Sequence, residues 1–447
     1  MRQDSGTSIG KSRPIDRLLL PFRMFVQAEA SSGILLLTAA FIAMIWANSA
    51  WSDLYVHLWE TEIAIDIGGA VLSESLLHWI NDGLMAIFFF VVGLEIKREL
   101  IVGELSTLKL AALPLAAAFG GMVVPAFIYV AINFGTPEVR GWGIPMATDI
   151  AFSMGVLYLL GNRVPAGLKI FLVALAIADD IGAVIAIAVF YSSGISWTYL
   201  ALGGMGLCVL ALLNRLGVRT PIAYGVIGAG IWFVFLLSGV HPTVAGVLAA
   251  MTIPARARLD PQEFLERSRA AINSFERSGA FGDDILTNTD RQEALLEIDV
   301  AYEETTTPLQ RLEQDLHPWV SFLVLPLFAL ANAGVRFEGD ISSIILHPVT
   351  IGAALGLLVG KQAGITFFAW LAVRLGWASL PAGCTWQHIW GVAWIAGIGF
   401  TMSIFIAALA FDDPSFLPMA KVGVFGASLL AGIIGVLILK RSSRSAG

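Results

Sequence analysis

Five ionisable residues lie inside long apolar stretches of the chain. Asp149, Asp179, Asp180 and Lys361 each fall near the middle of such a stretch, and Asp82 opens one. A charge inside a membrane is costly, so it is retained where it has a partner or a function. We therefore treat these five residues as candidates for ion binding or proton transfer.

The adjacent acids Asp179 and Asp180 are the most informative candidates. Neighbouring helical residues point about 100° apart, so both carboxylates can border one cavity. In a dry site two ionised carboxylates repel each other and are poorly solvated, so they bind protons readily. Without protons they offer hard oxygens to a small cation. Competition between protons and a cation for the same oxygens is the minimum requirement of an antiporter.

Lys361 needs a partner of its own. From mid-membrane its side chain is too short to reach the interface. We expect it to pair with a carboxylate and consider it a candidate proton carrier. The alternative reading, in which the two acids are merely neutralised by a buried base, accounts for one of them only, because the chain has a single such lysine.

Two of the apolar stretches contain residues that interrupt helices. One reads GWGIPMATDIAF, with Pro145 close to Asp149, and the other reads WIAGIGFTMSIF, with Gly397 and Gly399. Broken helices in a membrane are tolerated where their free backbone groups face a polar cavity, and their ends carry partial charges. The alternative for the two glycines is ordinary close packing of helices.

Twelve stretches are long enough to cross a bilayer as helices. Apolar residues make up 57% of the 447 residues and charged residues 14%, which excludes a soluble particle of this size. The first stretch is too long for a signal peptide and is followed by eleven more, so we expect it to be retained. The expected spans are 31–49, 76–95, 108–133, 139–160, 166–191, 197–214, 221–238, 240–254, 318–334, 348–373, 387–410 and 417–439.

The distribution of Lys and Arg gives the orientation. With twelve spans, 23 of these residues fall on the side of the N-terminus and three on the other, with Lys361 set aside. The positive-inside rule then places both termini in the cytoplasm. The fourth and eleventh spans are seven apart and cross in opposite directions. Spans 3–5 and 10–12 are therefore expected to be inverted-topology repeats with a binding site between them.

Two segments between the spans are long enough, and distinctive enough in composition, to form structures of their own. The segment 255–316 holds 14 acids and 7 bases, which equals the net charge of −7 of the whole chain. Within it, EALLEIDVAYEE and PLQRLEQDL are expected to form amphipathic helices, and much of the remainder is polar enough to stay mobile. The segment 54–74 alternates partly around Gly68-Gly69, which indicates a hairpin, with an irregular loop as the alternative.

These features divide the chain into five parts. No basic groove for nucleic acid is present, and two cysteines without a metal-binding spacing predict neither a disulfide framework nor a zinc site. The parts are a cytoplasmic N-terminal segment 1–30, spans 1–8 in 31–254 with the external hairpin-like segment 54–74, the acidic cytoplasmic loop 255–316, spans 9–12 in 317–440, and a cytoplasmic tail 441–447.

Seven stretches resemble the NhaA-type sodium/proton antiporters of bacterial plasma membranes. They keep the order and spacing of that family over nearly the whole membrane part. The resemblance implies an all-α polytopic membrane protein of about twelve transmembrane helices, with two interrupted helices crossing at the midplane. The stretches are INDGLMAIFFFVVGLEIKREL (80–100), MATDIAF (146–152), LKIFLVALAIADDIGA (168–183), SGVHPTVAGV (238–247), LHPWVSFLVLPLFALANAGV (316–335), GKQAGI (360–365) and GIGFTMSIFIA (397–407).

The resemblance implies a role for each buried candidate. Asp180 would be the principal cation ligand and proton carrier. Asp179 would be its partner, paired with Lys361 in the proton-loaded state. Thr148 and Asp149 would lie where the interrupted helices cross and would also belong to the cation-binding residues. There Asp149 and Lys361 would offset the dipoles of the half-helices.

Further matches imply support or pH sensing. Asp82 matches an acid important for transport, and His241 matches a histidine linked to the pH response, although a His-Pro at a helix start is also a common structural feature. The other matches to the pH-sensing region are Glu95, Arg98, Glu99, Arg311 and Glu313. Two departures put the pH profile in question: the segment 255–316 exceeds the family's usual connection, and Gln310 stands where a base adjoins the sensing arginine.

The implied activity is electrogenic export of Na+ or Li+ in exchange for two external protons, regulated by pH and serving sodium and pH homeostasis. The protein would be a transporter rather than an enzyme, without a cofactor. Its setting would be a bacterial inner membrane, as a homodimer joined through 54–74. The alternatives are a proton-coupled symporter of a small organic substrate, which should have more polar groups in its cavity, and a cation channel, which needs an open path with several sites.

Overall fold

The computed structural model describes residues 31–67, 70–192, 194–278, 288–336 and 341–442. The N-terminal segment 1–30, the turn at Gly68-Gly69 and the end of the tail lie outside the described residues. The helices are α1 Ser31–Ala47, α2 Ser52–Glu60, α3 Met85–Val102, α4 Leu108–Ile132, α5 Ile150–Leu159, α6 Ala166–Phe190, α7 Trp197–Arg215, α8 Pro221–Ser238, α9 Pro242–Thr252, α10 Pro261–Arg277, α11 Thr289–Thr305, α12 Pro308–Trp319, α13 Leu325–Asn332, α14 Ile341–Ile345, α15 Pro348–Leu355, α16 Lys361–Arg374, α17 Trp386–Ala396, α18 Phe400–Ala410 and α19 Leu417–Ser442.

Shorter elements connect these helices. The strands β1 Glu62–Ile67 and β2 Ala70–Ser75 pair with each other in the one sheet of the described residues. The remaining turns are the short α-helical turn Leu76–His78, the 3-10 helices Pro137–Met146, Gly161–Arg163 and Pro414–Phe416, and the π-helical turns Trp79–Leu84, Val320–Val324 and Gly356–Gly360. The polytopic, essentially all-helical architecture expected from the sequence is confirmed.

The described residues contain fewer continuous apolar spans than the twelve that the sequence predicts. Among the described residues, six helical runs are long and apolar enough to cross a membrane: α4, α6, α7, α8, the run through α15 and α16, and the run that ends with α19. Two bent pairs, α1 with α2 at 114° and α17 with α18 at 47°, bring the number to eight. The other expected spans are short or divided by turns. The count of twelve therefore stays a prediction.

The segments outside the spans differ from the sequence expectation at two places. Residues 54–60 belong to α2, so only the later part of 54–74 is strand. The helices expected at EALLEIDVAYEE and PLQRLEQDL are present as α11 and α12. The additional helix α10 was not expected. It begins where Asp260 caps the main-chain N–H groups of Gln262 and Glu263, with Pro261 in the first helical position.

The described residues form two compact units. Among the described residues, the first consists of 31–62, 109–183, 325–336 and 341–442, and the second of 63–67, 70–108, 184–192, 194–278 and 288–324. The four mid-membrane candidates and Thr148 belong to the first unit. Asp82, His241 and the expected pH-sensing residues belong to the second.

Helix α16, which begins with Lys361, is held against α4 in the first unit by paired glycines. A Cβ added to Gly364 would lie 2.0 Å from the carbonyl oxygen of Gly120, and one added to Gly120 would lie 2.3 Å from that of Gly364. The two backbones therefore touch, as small residues allow in membrane helices. One residue further on, a Cβ on Gly121 would lie 3.8 Å from Lys361 Cδ, so the stem of the lysine passes close to α4.

We expect Gly364→Ala to destabilise the protein by about 1–3 kcal/mol, because the added methyl group must push two backbones apart. The midpoint of thermal unfolding in detergent measures the effect. Gly228→Ala in α8 is the matched control, since nothing lies within 4 Å of a Cβ at that position. Equal midpoints for the two variants would show that the α4–α16 contact is not tight.

Candidate functional site

Two interrupted spans meet at the centre of the first unit. The 3-10 helix Pro137–Met146 ends in extended backbone at Ala147, and α5 begins after Asp149. The second interruption separates α17 from α18 around Ile398. The main-chain N–H of Asp149 donates a hydrogen bond of 2.8 Å to the carbonyl oxygen of Ile398, so the two breaks are joined directly. The interruptions expected from Pro145, Gly397 and Gly399 are confirmed.

The carboxylate of Asp149 faces two helix N-termini. Its Oδ1 accepts a hydrogen bond of 3.0 Å from the main-chain N–H of Phe152 in the first turn of α5. Its Oδ2 accepts hydrogen bonds from Thr401 in the first turn of α18, at 3.1 Å from the main-chain N–H and 2.5 Å from the hydroxyl group. The side chain is 2% exposed. A negative charge at this position would offset the positive ends of both half-helices.

Lys361 supplies a buried positive charge to the same site. Its Nζ forms an ion pair of 2.6 Å with Asp179 Oδ2, and both side chains are fully buried. The same Nζ donates to the carbonyl oxygen of Met146, at the C-terminal end of the 3-10 helix. The lysine therefore neutralises one carboxylate and also faces the negative end of a half-helix. A buried ion pair in a membrane persists only with such additional hydrogen bonds.

Thr148 lies between the carboxylate and the second break. Its Oγ1 is 2.7 Å from Asp179 Oδ2 and 2.9 Å from the carbonyl oxygen of Ala396, at the C-terminal end of α17. A hydroxyl group has one hydrogen, so it donates to only one of these oxygens at a time. When the hydrogen points to the carbonyl oxygen of Ala396, the hydroxyl oxygen can turn its lone pairs to a different partner. Thr148 can therefore alternate between two hydrogen-bonding states.

Asp179 and Asp180 are both 0% exposed in α6. Asp179 Oδ1 has no hydrogen-bond partner among the described residues, while Asp179 Oδ2 is shared by Lys361 and Thr148. The described residues contain no cluster of three or more acidic, His or Cys side chains that forms a metal cage. A cation at this site would compete with Lys361 for Asp179 Oδ2.

A second cluster, in the second unit, surrounds Asp82. Its two carboxylate oxygens lie 3.1 Å from His78 Nε2 and 3.5 Å from His241 Nε2. Nδ1 of His241 accepts a hydrogen bond from the main-chain N–H of Thr243 and so caps α9. Nδ1 also lies 2.7 Å from the hydroxyl group of Thr243, while Nε2 faces Asp82. His241 has both the structural role of a helix cap and a contact with an acid. His78 was missed by sequence reasoning, although it lies four residues before Asp82.

The third group of candidates lies at the end of α3. Arg98 forms ion pairs with Glu313 of α12 and, at 3.4 Å, with Glu99. Glu95 precedes Arg98 by one helical turn. Burial raises the pKa of Glu313, and Arg98 opposes that shift. Arg311 is engaged elsewhere, because its Nη1 pairs with Glu303 of α11 at 2.8 Å.

The first unit thus has the character of a membrane transporter, with buried exchangeable charges at paired helix breaks. A family profile described as Na+/H+ antiporter 1 matches residues 23–439, and the chain belongs to this family. A protein named Na(+)/H(+) antiporter NhaA from Oleidesulfovibrio alaskensis is 50% identical over 96% of this chain and 95% of its own length. A protein of the same name from Koribacter versatilis is 51% identical over 97% of this chain and 94% of its own length. One from Syntrophobacter fumaroxidans is 49% identical over 95% and 91%.

His317 lies one turn after Glu313 in α12, and its pKa predicts how the stability of the protein depends on pH. Burial, and then the charge of Arg98, lower its pKa below 6.5. The unfolded chain therefore binds more protons than the folded one, so stability is full above about pH 6.5 and falls as the pH drops through the folded value. We expect His317→Gln to lose less stability than the unsubstituted protein between about pH 7.5 and 5.5. Parallel losses of the thermal unfolding midpoint in the two proteins would contradict this.

Proposed function

We propose that this chain exports Na+ or Li+ across a bacterial inner membrane in exchange for protons, with both termini in the cytoplasm. The observation that carries the proposal is the buried Asp179–Lys361 pair beside Asp180. Membership of the Na+/H+ antiporter 1 family and relatives named as Na+/H+ antiporters support it. The protein is then a secondary transporter rather than an enzyme, and it needs no cofactor, since its substrates are the ions themselves.

Exchange follows from competition for the Asp179 carboxylate. Lys361 Nζ is hydrogen-bonded to Asp179 Oδ2. An arriving cation attracts the carboxylates of Asp179 and Asp180 and repels the ammonium group, so it favours release of protons from this buried set. When protons return, Lys361 pairs with Asp179 again. The cation and the protons thereby use the site in turn.

Thr148 and Asp149 support this cycle in different ways. If the hydroxyl hydrogen of Thr148 turns to the carbonyl oxygen of Ala396, the oxygen of Thr148 is free to join Asp179 and Asp180 as a cation ligand. Asp149 keeps its hydrogen bonds at the two N-termini and so maintains the crossing. We assign Asp149 an electrostatic role and the other three oxygen-bearing residues to cation binding.

The proposed cycle moves net charge. If Lys361 and one carboxylate, or both carboxylates, exchange protons, two protons enter for each ion that leaves. One positive charge then moves inward in each cycle. The membrane potential contributes about 2.3 kcal/mol per charge per 100 mV to this step. Alternating access would come from one group of helices rocking against another.

Asp180→Asn should abolish Na+-dependent proton movement in everted membrane vesicles, because the amide neither ionises nor releases a proton. Asp299→Asn, at an exposed position of α11, is the matched control and should transport normally. The dissipation of a respiration-driven pH gradient by added NaCl measures both. Normal transport by Asp180→Asn, or no response of the unsubstituted protein at any alkaline pH, would refute the proposal.

The residues of the second unit are proposed to adjust the pH response. The Arg98, Glu99 and Glu313 group joins α3 to α12, and Asp82 joins α9 to the turn that carries His78. Glu95 lies beside the first group. Titration at either place changes how neighbouring helices are held together. Arg311 would act on this region through α12.

The helical hairpin formed by α10 and α11 is proposed to modulate this response rather than transport itself. Both main-chain N–H groups at Arg258 and Leu259 donate to the carbonyl oxygen of Glu304, at 2.9 and 3.2 Å. The base of the hairpin is therefore closed. Glu303 in its last turn holds Arg311.

Deletion of residues 260–305, with a short glycine linker across the closed base, should leave Na+/H+ exchange present and shift its pH dependence. The physical reason is that Arg311 loses Glu303 while the buried site is unchanged. The vesicle assay over a series of pH values measures the shift. Glu297→Gln, an exposed acid in the same helix, is the control for charge alone. Complete loss of exchange in a well-folded deletion variant would contradict the prediction.

The segment 54–74 is proposed to join two copies of the chain. β1 and β2 form a two-stranded sheet, and each strand of such a sheet has an outer edge that a second copy can extend. The bilayer is the other partner. No role in nucleic-acid binding is proposed.

A further inference from the structure

Gln362 is a buried polar residue that the transport cycle has not used. It follows Lys361 directly, and its side chain is 1% exposed. A buried amide in an apolar helix is costly unless its polar atoms are bonded. Its retention beside the buried lysine therefore depends on the contacts that its amide makes.

The amide of Gln362 is fastened to the π-helical turn that precedes Lys361. Its Nε2 donates a hydrogen bond of 2.9 Å to the carbonyl oxygen of Leu357 within the turn Gly356–Gly360. The main-chain N–H of Lys361 bonds to the carbonyl oxygen of Gly356, so the lysine lies at the end of the widened turn. Such single π turns are common at functional sites, where they change the direction of the following side chain.

The same amide also touches the break between α17 and α18. A Cβ added to Gly397 would lie 2.6 Å from Gln362 Nε2 and 2.8 Å from the carbonyl oxygen of Leu357. Only glycine allows this approach. The hydrogen-bonded pair of Gln362 and Leu357 is therefore wedged against the break that lies next to Thr148 and Asp149.

The orientation of the amide is fixed by this bond. If oxygen and nitrogen were exchanged, two oxygens would face each other at Leu357, which is unfavourable. Gln362 Oε1 is left buried without a hydrogen-bond partner among the described residues. The donor Nε2 is therefore the atom through which Gln362 holds the turn.

We propose that Gln362 is a positioning residue of the transport site, which holds the lysine-bearing turn against the break and so keeps Lys361 Nζ on Asp179. The inference rests on the proposed exchange function and names a residue that sets its cation affinity. A tightly placed ammonium group competes with the cation for Asp179. Loosening the turn weakens that competitor, so the cation should bind at lower concentration.

The test is Gln362→Met, which keeps the length of the side chain and removes its hydrogen bond. We expect the apparent KM for Na+ in everted vesicles to fall about threefold, the size of effect for one neutral hydrogen bond. Gln362→Asn, whose amide is one methylene too short to reach Leu357, should shift KM in the same direction. A purely structural residue would lower the amount of inserted protein and the maximum rate and leave KM unchanged.

Thr366→Val is the matched control. Thr366 lies one turn further along α16, and its Oγ1 is also buried without a partner among the described residues. We expect an unchanged KM. Unchanged or raised KM values in both Gln362 variants would overturn the inference while leaving Na+/H+ exchange intact. Absence of Na+-dependent proton movement in the unsubstituted protein would instead refute the proposed function.

Discussion

The ion pair between Lys361 and Asp179 is the interaction on which the rest of the first unit depends. Both groups are completely removed from solvent, and each alone would be costly in a membrane. The pair becomes tolerable because Met146 and Thr148 supply further hydrogen bonds to its two sides. Since these partners lie at the break between the 3-10 helix Pro137–Met146 and α5, the charge pair and the helix break stabilise each other.

The same reasoning applies to the other charges at the crossing. A break exposes main-chain groups that have no water to bond in a membrane. Asp149 satisfies the N–H groups of two half-helices, and hydroxyl groups satisfy carbonyl oxygens: Ser153 bonds to Ile395 and Ser403 to Ile144. The polar residues of this unit are thus positioned by the demands of the backbone. Their arrangement is also suited to exchange, because small changes of proton occupancy alter several of these bonds at once.

The sequence predicted the fold class and the charged centre well because both depend on rare features. Charges in apolar runs, Pro145, Gly397 and Gly399 each stand out against a uniform background. The partners of those charges could not be predicted in the same way. Thr401 and Gln362 are ordinary in type, and the fold alone brings Thr401 to an acid 252 residues away. Helix α10 was missed because its apolar positions are few and its charges are mixed, so capping and packing on α11 decide its structure.

The acidic segment 255–316 shows how a local charge can remain separate from the charges of the transport site. Its excess of acids lies mainly in α11, which holds six acids and one base, and most of these acids are exposed, where salt screens interactions beyond about 10 Å. The hairpin of α10 and α11 is paired with α12 through Glu303, with its side chain 57% exposed, and Arg311, with its side chain 18% exposed. A pair of this kind contributes about 0–1 kcal/mol. That magnitude is too small to determine folding, but it suffices to bias the position of a helix that also carries Glu313, which is why this segment fits a modulator better than a part of the transport machinery.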